Sequence, residues 1–229
     1  MLNPDLDIPS LTAQFKVDQR VRIDNILAPD LATAAARAMQ ELTYDLIVFS
    51  GDANRVIPRD QLAALDDASR NALQQELLQL ATSGTGFLYG GYRMEKEKKE
   101  TAPPILRQVF EAVGQDMIEL VRKVSGVTSL QSADGQFTMY DRGHYLTRHS
   151  DAITAEGRRL AYVLSMNEAW HPDWGGLLQF YEKSGVPRDA WEPRFNSLSL
   201  FDVSHIHSVT YVTPFAGRPR YSLTGWFRD

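Results

Sequence analysis

From Gln136 to Phe227 the sequence breaks into six short runs of β-forming residues, and no other feature narrows the possible folds so far. The runs are QFTMY (136–140), RRLAYVLSMN (158–167), GGLLQFYE (175–182), NSLSLF (196–201), HIHSVTYV (205–212) and RYSLTGWF (220–227), separated by Gly, Pro, Asp and Asn. β-Branched and aromatic residues favour a pleated, half-buried surface, and this many short strands close into a sandwich or barrel. With 229 residues and 43% apolar content, the chain can bury one good core and is short for two large domains.

The first half reads differently. Pro29 and Asp30 open a helical run to about Leu42, and Tyr44 to Phe49 has strand character that ends at Gly51 and Asp52. A second helical stretch covers about Arg59 to Ala81. After it, GTGFLYGGYRM (84–94) reads as a short aromatic strand among flexible glycines, and EKEKKE (95–100) as a solvated loop. Because glycines flank that aromatic patch, the segment from Gly84 to Glu100 is expected to form a mobile flap over a site. Pro103 and Pro104 then open a helix whose apolar residues, Ile105, Val109, Val113, Met117, Leu120, Val121 and Val124, make one stripe before Gly126 stops it. The expected organisation is a helical support over residues 1–128 packed on a β-core over 129–229, in one structural domain.

Composition decides which chemistry is open. The chain has no cysteine, which excludes disulfides, thiolate nucleophiles and Cys-ligated metal sites and leaves His, Asp and Glu as metal ligands. A net charge of -5 does not favour nucleic acid or an anionic membrane as partner. MLNPDLDIPS has no positive, apolar leader pattern, and no run reaches the roughly 20 apolar residues of a membrane span, so a cytoplasmic protein is expected.

His149 and Asp151 form a His-x-Asp step at or near the start of a strand, where residues two apart share a face. A second His from a distant strand would complete a facial triad of two imidazoles and one carboxylate, which leaves three adjacent positions open on an iron(II) ion. His207 lies 56 residues after Asp151 in a β-type run. Further on, alternation puts Arg220 and Ser222 on one strand face with Thr224 and Trp226. A buried guanidinium there calls for an anion, which a dicarboxylate gripped at its far end would supply.

YDRGHYLTRHSD, WHPDWGGLLQFYE, SLFDVSHIHSV and RPRYSLTGWF together resemble the catalytic core of the prolyl 4-hydroxylase-like 2-oxoglutarate/Fe(II)-dependent dioxygenases, over roughly residues 136 to 228. The resemblance implies an α+β fold, mainly β, with a double-stranded β-helix (a cupin-like jelly roll) behind N-terminal helices. It implies His149, Asp151 and His207 as iron ligands and catalytic centre. Arg220 would pair with the distal 2-oxoglutarate carboxylate, with Tyr140 donating to it and Ser222 beside it. Fe(II), 2-oxoglutarate and O2 are the implied cofactor and co-substrates, with ascorbate as a candidate reductant. The reaction would hydroxylate a prolyl residue in a protein or peptide and release succinate and CO2. Hydroxylation of a small molecule or free amino acid is the alternative, and an inactive β-helix binding module an alternative of another class. A carboxylate at Asp151 speaks against halogenation. The interval from His207 to Arg220 is longer than the resemblance leads one to expect, so Arg218 competes with Arg220, and Tyr145 with Tyr140.

The remaining candidates have plainer readings. His144 and His171 sit in loop-like contexts and read as surface or supporting residues. His205 shares a strand face with His207 by alternation, but only His207 opens the His-x-Val-x-x-Val step through Val209 and Val212. Trp174, Gly175 and Gly176 read as a tight turn, Trp170, Trp191 and Trp226 as core, and Asp202 as a turn cap.

Overall fold

The computed structural model describes residues 1–49, 51, 53–94 and 100–229. Its strands form a twelve-stranded antiparallel sheet in the order β1-β10-β7-β12-β5-β4-β6-β11-β8-β9, with β2 on β4 and β3 on β2. Here β1 is Arg20–Asp24, β2 Asp45–Phe49, β3 Asn54–Ile57, β4 Phe87–Arg93, β5 Ser132–Tyr140 and β6 Tyr145–His149. The later strands are β7 Arg158–Ser165, β8 Leu178–Tyr181, β9 Pro187–Trp191, β10 Ser197–Asp202, β11 Ile206–Val209 and β12 Arg220–Arg228. The sheet curls over, so that Leu178 and Phe180 of β8 pack on Ala161 and Val163 of β7 and on Phe201 of β10. The result is the jelly-roll double-stranded β-helix.

Period-two alternation decides what each face of the long strands does. Leu160, Tyr162 and Leu164 of β7, Leu198 and Leu200 of β10, Leu223 and Phe227 of β12 and Phe137 of β5 join the large outer core. Helices cover that core: α1 (Ile8–Asp18), α2 (Pro29–Gln40), α5 (Pro104–Gly114) and α6 (Asp116–Ser125). Each fully buried Leu, Ile or Phe there stabilises the fold by about 1.5–3 kcal/mol. The opposite face of the same strands turns into the mouth of the roll. The first 128 residues supply β1 to β4 as well as helices, and β1 extends the sheet beside β10.

Three expectations change in the folded chain. The stretch from Arg59 to Ala81 is two helices, α3 (Arg59–Ala64) and α4 (Asp67–Ala81). Leu65 is extended there, and the Asp66 carboxylate accepts the Ser69 N–H, so an acidic N-cap wins over continuous helix. The Pro104 to Ser125 stripe is likewise broken at Gln115, directly after Gly114, the weakest helix former on its path. Both halves still bury the stripe, because Val109, Val113, Met117, Leu120, Val121 and Val124 all reach one core, while at its start Leu106 is buried in place of Ile105, which is only partly covered. The third change concerns the flap. Residues 87–93 are strand β4, paired with β2, β5 and β6, so that part is held in the sheet. Residues 95–99, most of the charged run, lie outside the described residues.

One polar side chain locks the N-terminal hook to the sheet. Asn196 is 2% exposed, takes a positive φ of 51° before β10, accepts the Leu27 N–H at 3.0 Å and donates to the Leu27 carbonyl at 2.8 Å. Asn196→Ala orphans both backbone groups and puts a Cβ residue without a side-chain hydrogen bond in left-handed backbone. We expect a loss of about 2–4 kcal/mol in denaturant unfolding. A change below about 0.5 kcal/mol, the ordinary surface range, would show that Asn196 does not brace this junction.

Candidate metal centre and adjoining cavity

The pairing of β6 with β11 brings the two histidines together, since His149 stands directly opposite His207 in the antiparallel register. Their ring centroids are 4.2 Å apart. Asp151 completes the group from outside a strand. His149 is the last residue of β6, so Asp151 lies in the loop beyond it and not, as strand alternation suggests, on the same strand face. That loop is fixed by the Asp151 N–H and the Ser150 hydroxyl, both donating to the Val203 carbonyl at 3.1 and 3.0 Å. One candidate ligand atom from each of the three residues lies within 4.8 Å of the others.

The backbone also sets the histidine tautomers. Nδ1 of His149 is 3.0 Å from the Thr147 carbonyl, and Nδ1 of His207 is 3.0 Å from the His205 carbonyl. A carbonyl can only accept, so each Nδ1 carries the proton and each Nε2 presents a lone pair. Both Nε2 atoms face Asp151, at 3.6 Å from Oδ1 and 3.5 Å from Oδ2. Burial, and then the neighbouring His149, push His207 down to about 4 despite Asp151, so its ring is neutral at physiological pH. Two oriented lone pairs and a buried carboxylate suit a divalent cation of borderline hardness such as iron(II).

The three residues open onto a cavity of about 280 Å3 between the two halves of the roll. Its floor is the β5/β12 ladder, where Arg220 pairs with Tyr140, Ser222 with Thr138, Thr224 with Gln136 and Trp226 with Asp134. Arg220 is 1% exposed, and its Nε and Nη1 have no hydrogen-bond partner among the described residues. Burial lowers its guanidinium to about 10, which leaves it cationic at neutral pH. Its Cζ lies 5.1 Å from the Tyr140 ring centroid. Burial raises the Tyr140 phenol, so it remains a protonated donor. Ser222 is fully buried and its hydroxyl pairs with that of Thr138 at 3.0 Å, so Thr138 is the member of that pair that lines the cavity. Gly176, at φ 63°, lies against the Arg220 stem, where a Cβ would come within 3.4 Å of Arg220 Cδ and 3.1 Å of the Trp170 ring.

The competing residues point elsewhere. Arg218 is exposed and donates to the Glu168 carbonyl at 3.3 Å. The Tyr145 hydroxyl donates to the Leu77 carbonyl at 3.0 Å, on the far side of β6. His205 precedes β11, so it does not share a strand face with His207. Its Nε2 bonds the Asp18 carbonyl at 2.8 Å while its own carbonyl orients His207. His144 is half-buried, with Nδ1 3.4 Å from the Met139 carbonyl, whereas His171 is exposed and accepts the Asp173 N–H. Trp226, expected in the core, lines the cavity under the Arg158 guanidinium, whose Cζ is 3.5 Å from the ring centroid. Asp202 caps its turn by accepting the Ser204 N–H. Tyr89, Gln136 and Thr138 also line the cavity and had no signal of their own. Gln136 and Thr138 alternate with Tyr140 in QFTMY, which places all three on one face once Tyr140 is placed.

Residues 135–228 match the 2OG-Fe(II) oxygenase superfamily. Prolyl 3-hydroxylase OGFOD1 of Xenopus laevis is 31% identical over 139 residues, 58% of this chain and 26% of that protein. Its counterpart in Mus musculus is 27% identical over 143 residues, with 59% and 26% covered. The chain thus spans about a quarter of the length of these curated relatives. Among solved structures, a Pseudomonas putida prolyl-4-hydroxylase superposes with a TM-score of 0.64 at 22% identity, covering 97% of this chain and 98% of that one. A Trichoplax adhaerens prolyl hydroxylase, solved with a hypoxia inducible factor oxygen degradation domain peptide, gives 0.64 at 17% identity, with 97% and 89% covered.

Proposed function

From the match of residues 135–228 to the 2OG-Fe(II) oxygenase superfamily, we propose that this protein is an Fe(II)- and 2-oxoglutarate-dependent dioxygenase that hydroxylates a prolyl residue in a protein or peptide. One observation carries the proposal: a single buried cavity holds a two-imidazole, one-carboxylate cluster together with an arginine that lacks an anionic partner among the described residues. A buried unpaired guanidinium costs several kcal/mol, and a fold retains that cost where a ligand relieves it. Neither an inactive scaffold nor a plain metal-binding module has a use for such an arginine. The prolyl assignment rests on the relatives, which are prolyl hydroxylases.

In this reading Nε2 of His149, Nε2 of His207 and the Asp151 carboxylate hold iron(II). Bound there with 2-oxoglutarate and O2, the metal supplies the oxidative decarboxylation to succinate and CO2 and the oxidising power that hydroxylates an unactivated C–H bond. The protein's part is positional. Arg220 grips the far carboxylate of 2-oxoglutarate and the Tyr140 phenol donates to it, which fixes the co-substrate at the inner end of the cavity. Leu146, Val209 and Phe201 wall the site with apolar surface that excludes water. Ascorbate as reductant and a cytoplasmic setting complete the proposal. No helix among the described residues is long and apolar enough to cross a membrane.

The test is succinate release from 2-oxoglutarate with iron(II) under air and under nitrogen, with and without a pool of prolyl peptides. Oxygen-dependent release stimulated by the pool, with a mass gain of one oxygen on proline, is the expected result. Stimulation by free amino acids alone would move the substrate to the small-molecule class. No oxygen-dependent succinate under any condition would reject the enzyme reading.

A further inference from the structure

A second cleft lies behind the catalytic cavity and is the larger of the two, at about 510 Å3 against about 280 Å3. Strand β6 separates them: Tyr145 lines the cleft, and the next residue, Leu146, lines the catalytic cavity. Leucines make the apolar wall of the cleft. Leu77 is buried and Leu46, Leu62, Leu73 and Leu88 are half-buried, all in the small core where α3 and α4 pack on β2 and β4. Leu78 and Tyr211 also line it and are 38% and 43% exposed, so apolar surface continues out to the opening.

The charges around this cleft have one sign. Arg59 of α3, Arg70 of α4 and Arg142 of the turn between β5 and β6 line it and are exposed, so they stand at its rim, and no carboxylate among the described residues lines it. That is a local reversal in a chain of net charge -5. The acidic neighbours Asp45 and Asp141 accept the backbone N–H groups of Arg59 and Arg142, at 3.2 and 2.8 Å. Arg142 Nε donates to the Ala216 carbonyl at 2.8 Å and Arg70 Nη2 to the Ala63 carbonyl at 3.0 Å, which holds both side chains in place. Neither forms an ion pair with a described residue, and a guanidinium with one N–H engaged keeps others to offer.

An apolar wall under a cationic rim is complementary to a molecule with an apolar body and an anionic head. The volume lies within the range of about 300–1,000 Å3 that small-molecule sites occupy. An extended peptide would find no strand edge to pair with, since β2 is paired with β3 and β4, and β4 with β2 on one side and β5 and β6 on the other. We propose that the cleft between α3, α4 and β6 binds a free single-chain anionic amphiphile, whose apolar chain lies on the leucine wall and whose carboxylate or phosphate head is held by Arg70 and Arg142. The site is separate from the metal centre and does not depend on the prolyl reading. Leu62 and Leu73 come from the helices and Leu46 and Leu88 from the sheet, so a bound chain ties α3 and α4 to β2 and β4. Occupancy therefore slows local opening of the two helices.

The experiment uses decanoate as probe, with decyltrimethylammonium and acetate as controls and both amphiphiles below their micelle-forming concentrations. Dissociation constants are measured by calorimetry on the iron-loaded protein under nitrogen with saturating 2-oxoglutarate, which keeps the probe carboxylate out of the catalytic cavity. Decanoate is expected to bind saturably, at least about tenfold more tightly than either control, and to slow hydrogen exchange in α3 and α4. Arg70→Gln combined with Arg142→Gln should weaken decanoate by about tenfold, the scale of a lost charge-assisted hydrogen bond, and leave decyltrimethylammonium no weaker. Leu73→Trp, which fills the cleft, should weaken decanoate by at least as much. Equal affinity of the wild type for decanoate and decyltrimethylammonium would overturn the head-group assignment and the proposal with it. Decanoate affinity unchanged in both variants would place the probe elsewhere on the protein and overturn it as well. So would the lack of saturable decanoate binding, including where an acidic peptide or an anionic phospholipid vesicle binds instead.

Discussion

Arg220→Met is expected to raise the apparent KM for 2-oxoglutarate by two to three orders of magnitude, while iron binding measured without co-substrate changes little. Truncating one partner of a buried charge pair costs about 2–5 kcal/mol, which is roughly 30- to 4000-fold in affinity. The loss falls on the co-substrate because Arg220 lies on the β12 floor, whereas the metal-binding candidates come from β6, β11 and the loop after β6. A second measurement has the opposite sign. In the wild type without co-substrate the guanidinium is buried with two nitrogens unpartnered among the described residues, so replacing it by an apolar side chain of similar length should leave thermal stability unchanged or raise it. With saturating 2-oxoglutarate the wild type should gain stability through ligand binding and the variant should not. The pH dependence follows from the lowered value of about 10. Because the unfolded chain keeps the arginine proton to higher pH than the folded one, this group destabilises the fold at every pH below about 10. The penalty is relieved only as pH rises from there toward the ordinary arginine range. Normal 2-oxoglutarate dependence in Arg220→Met, joined to a large defect in Arg218→Ala, would move the carboxylate contact to the exposed neighbour.

What could be read from the sequence were the features carried by local alternation. RYSLTGWF puts Arg220 on a strand face with Ser222 and Thr224, and the folded strand keeps that order because both of its faces are buried and a one-residue slip would exchange them. The histidines and Asp151 were legible as residue types at suggestive spacing. Their geometry was not, since it comes from the β6–β11 register and from a loop pinned to Val203. Strand β6, YLTRH, ends at His149 where the sequence suggests a strand beginning, because Thr147, Arg148 and His149 leave it no apolar alternation to read. β1, RVRID, hides because charged residues interrupt its apolar pattern. Its Val21 and Ile23 are buried, while Arg20 lies 4.5 Å over the Phe180 ring and pairs with Asp18 and Asp189. His205 could not be placed from local pattern at all. Its imidazole is held by the carbonyl of Asp18, 187 residues earlier, a contact that exists only once β1 has paired with β10.

Asp151→Ala should abolish metal-dependent turnover, by on the order of 10^3-fold or more, as when a group on which the chemistry rests is removed. It should also remove the rise in melting temperature that iron(II) gives the wild type. The carboxylate is 8% exposed and 3.5 to 3.6 Å from both Nε2 atoms, so its loss takes away the anionic donor and leaves two neutral rings facing each other. Two imidazoles alone hold a divalent cation weakly, and no other carboxylate among the described residues joins this cluster. His207→Ala should have the same effect, because that ring is buried and oriented by a backbone carbonyl that no substitution elsewhere can replace. His205→Ala is the control that separates ligation from support. The carbonyl that orients His207 survives in that variant, and only the side-chain tie to Asp18 is lost, so bound iron should stay near wild type and activity should fall by less than about tenfold. Metal content by elemental analysis and succinate release are measured separately on all three variants. Retention of iron in Asp151→Ala would exclude this cluster as the metal site. Equal iron loss in His205→Ala and His207→Ala would mean that the turn before β11 acts as one unit, with orientation of His207 depending on the Asp18 contact as much as on its own strand.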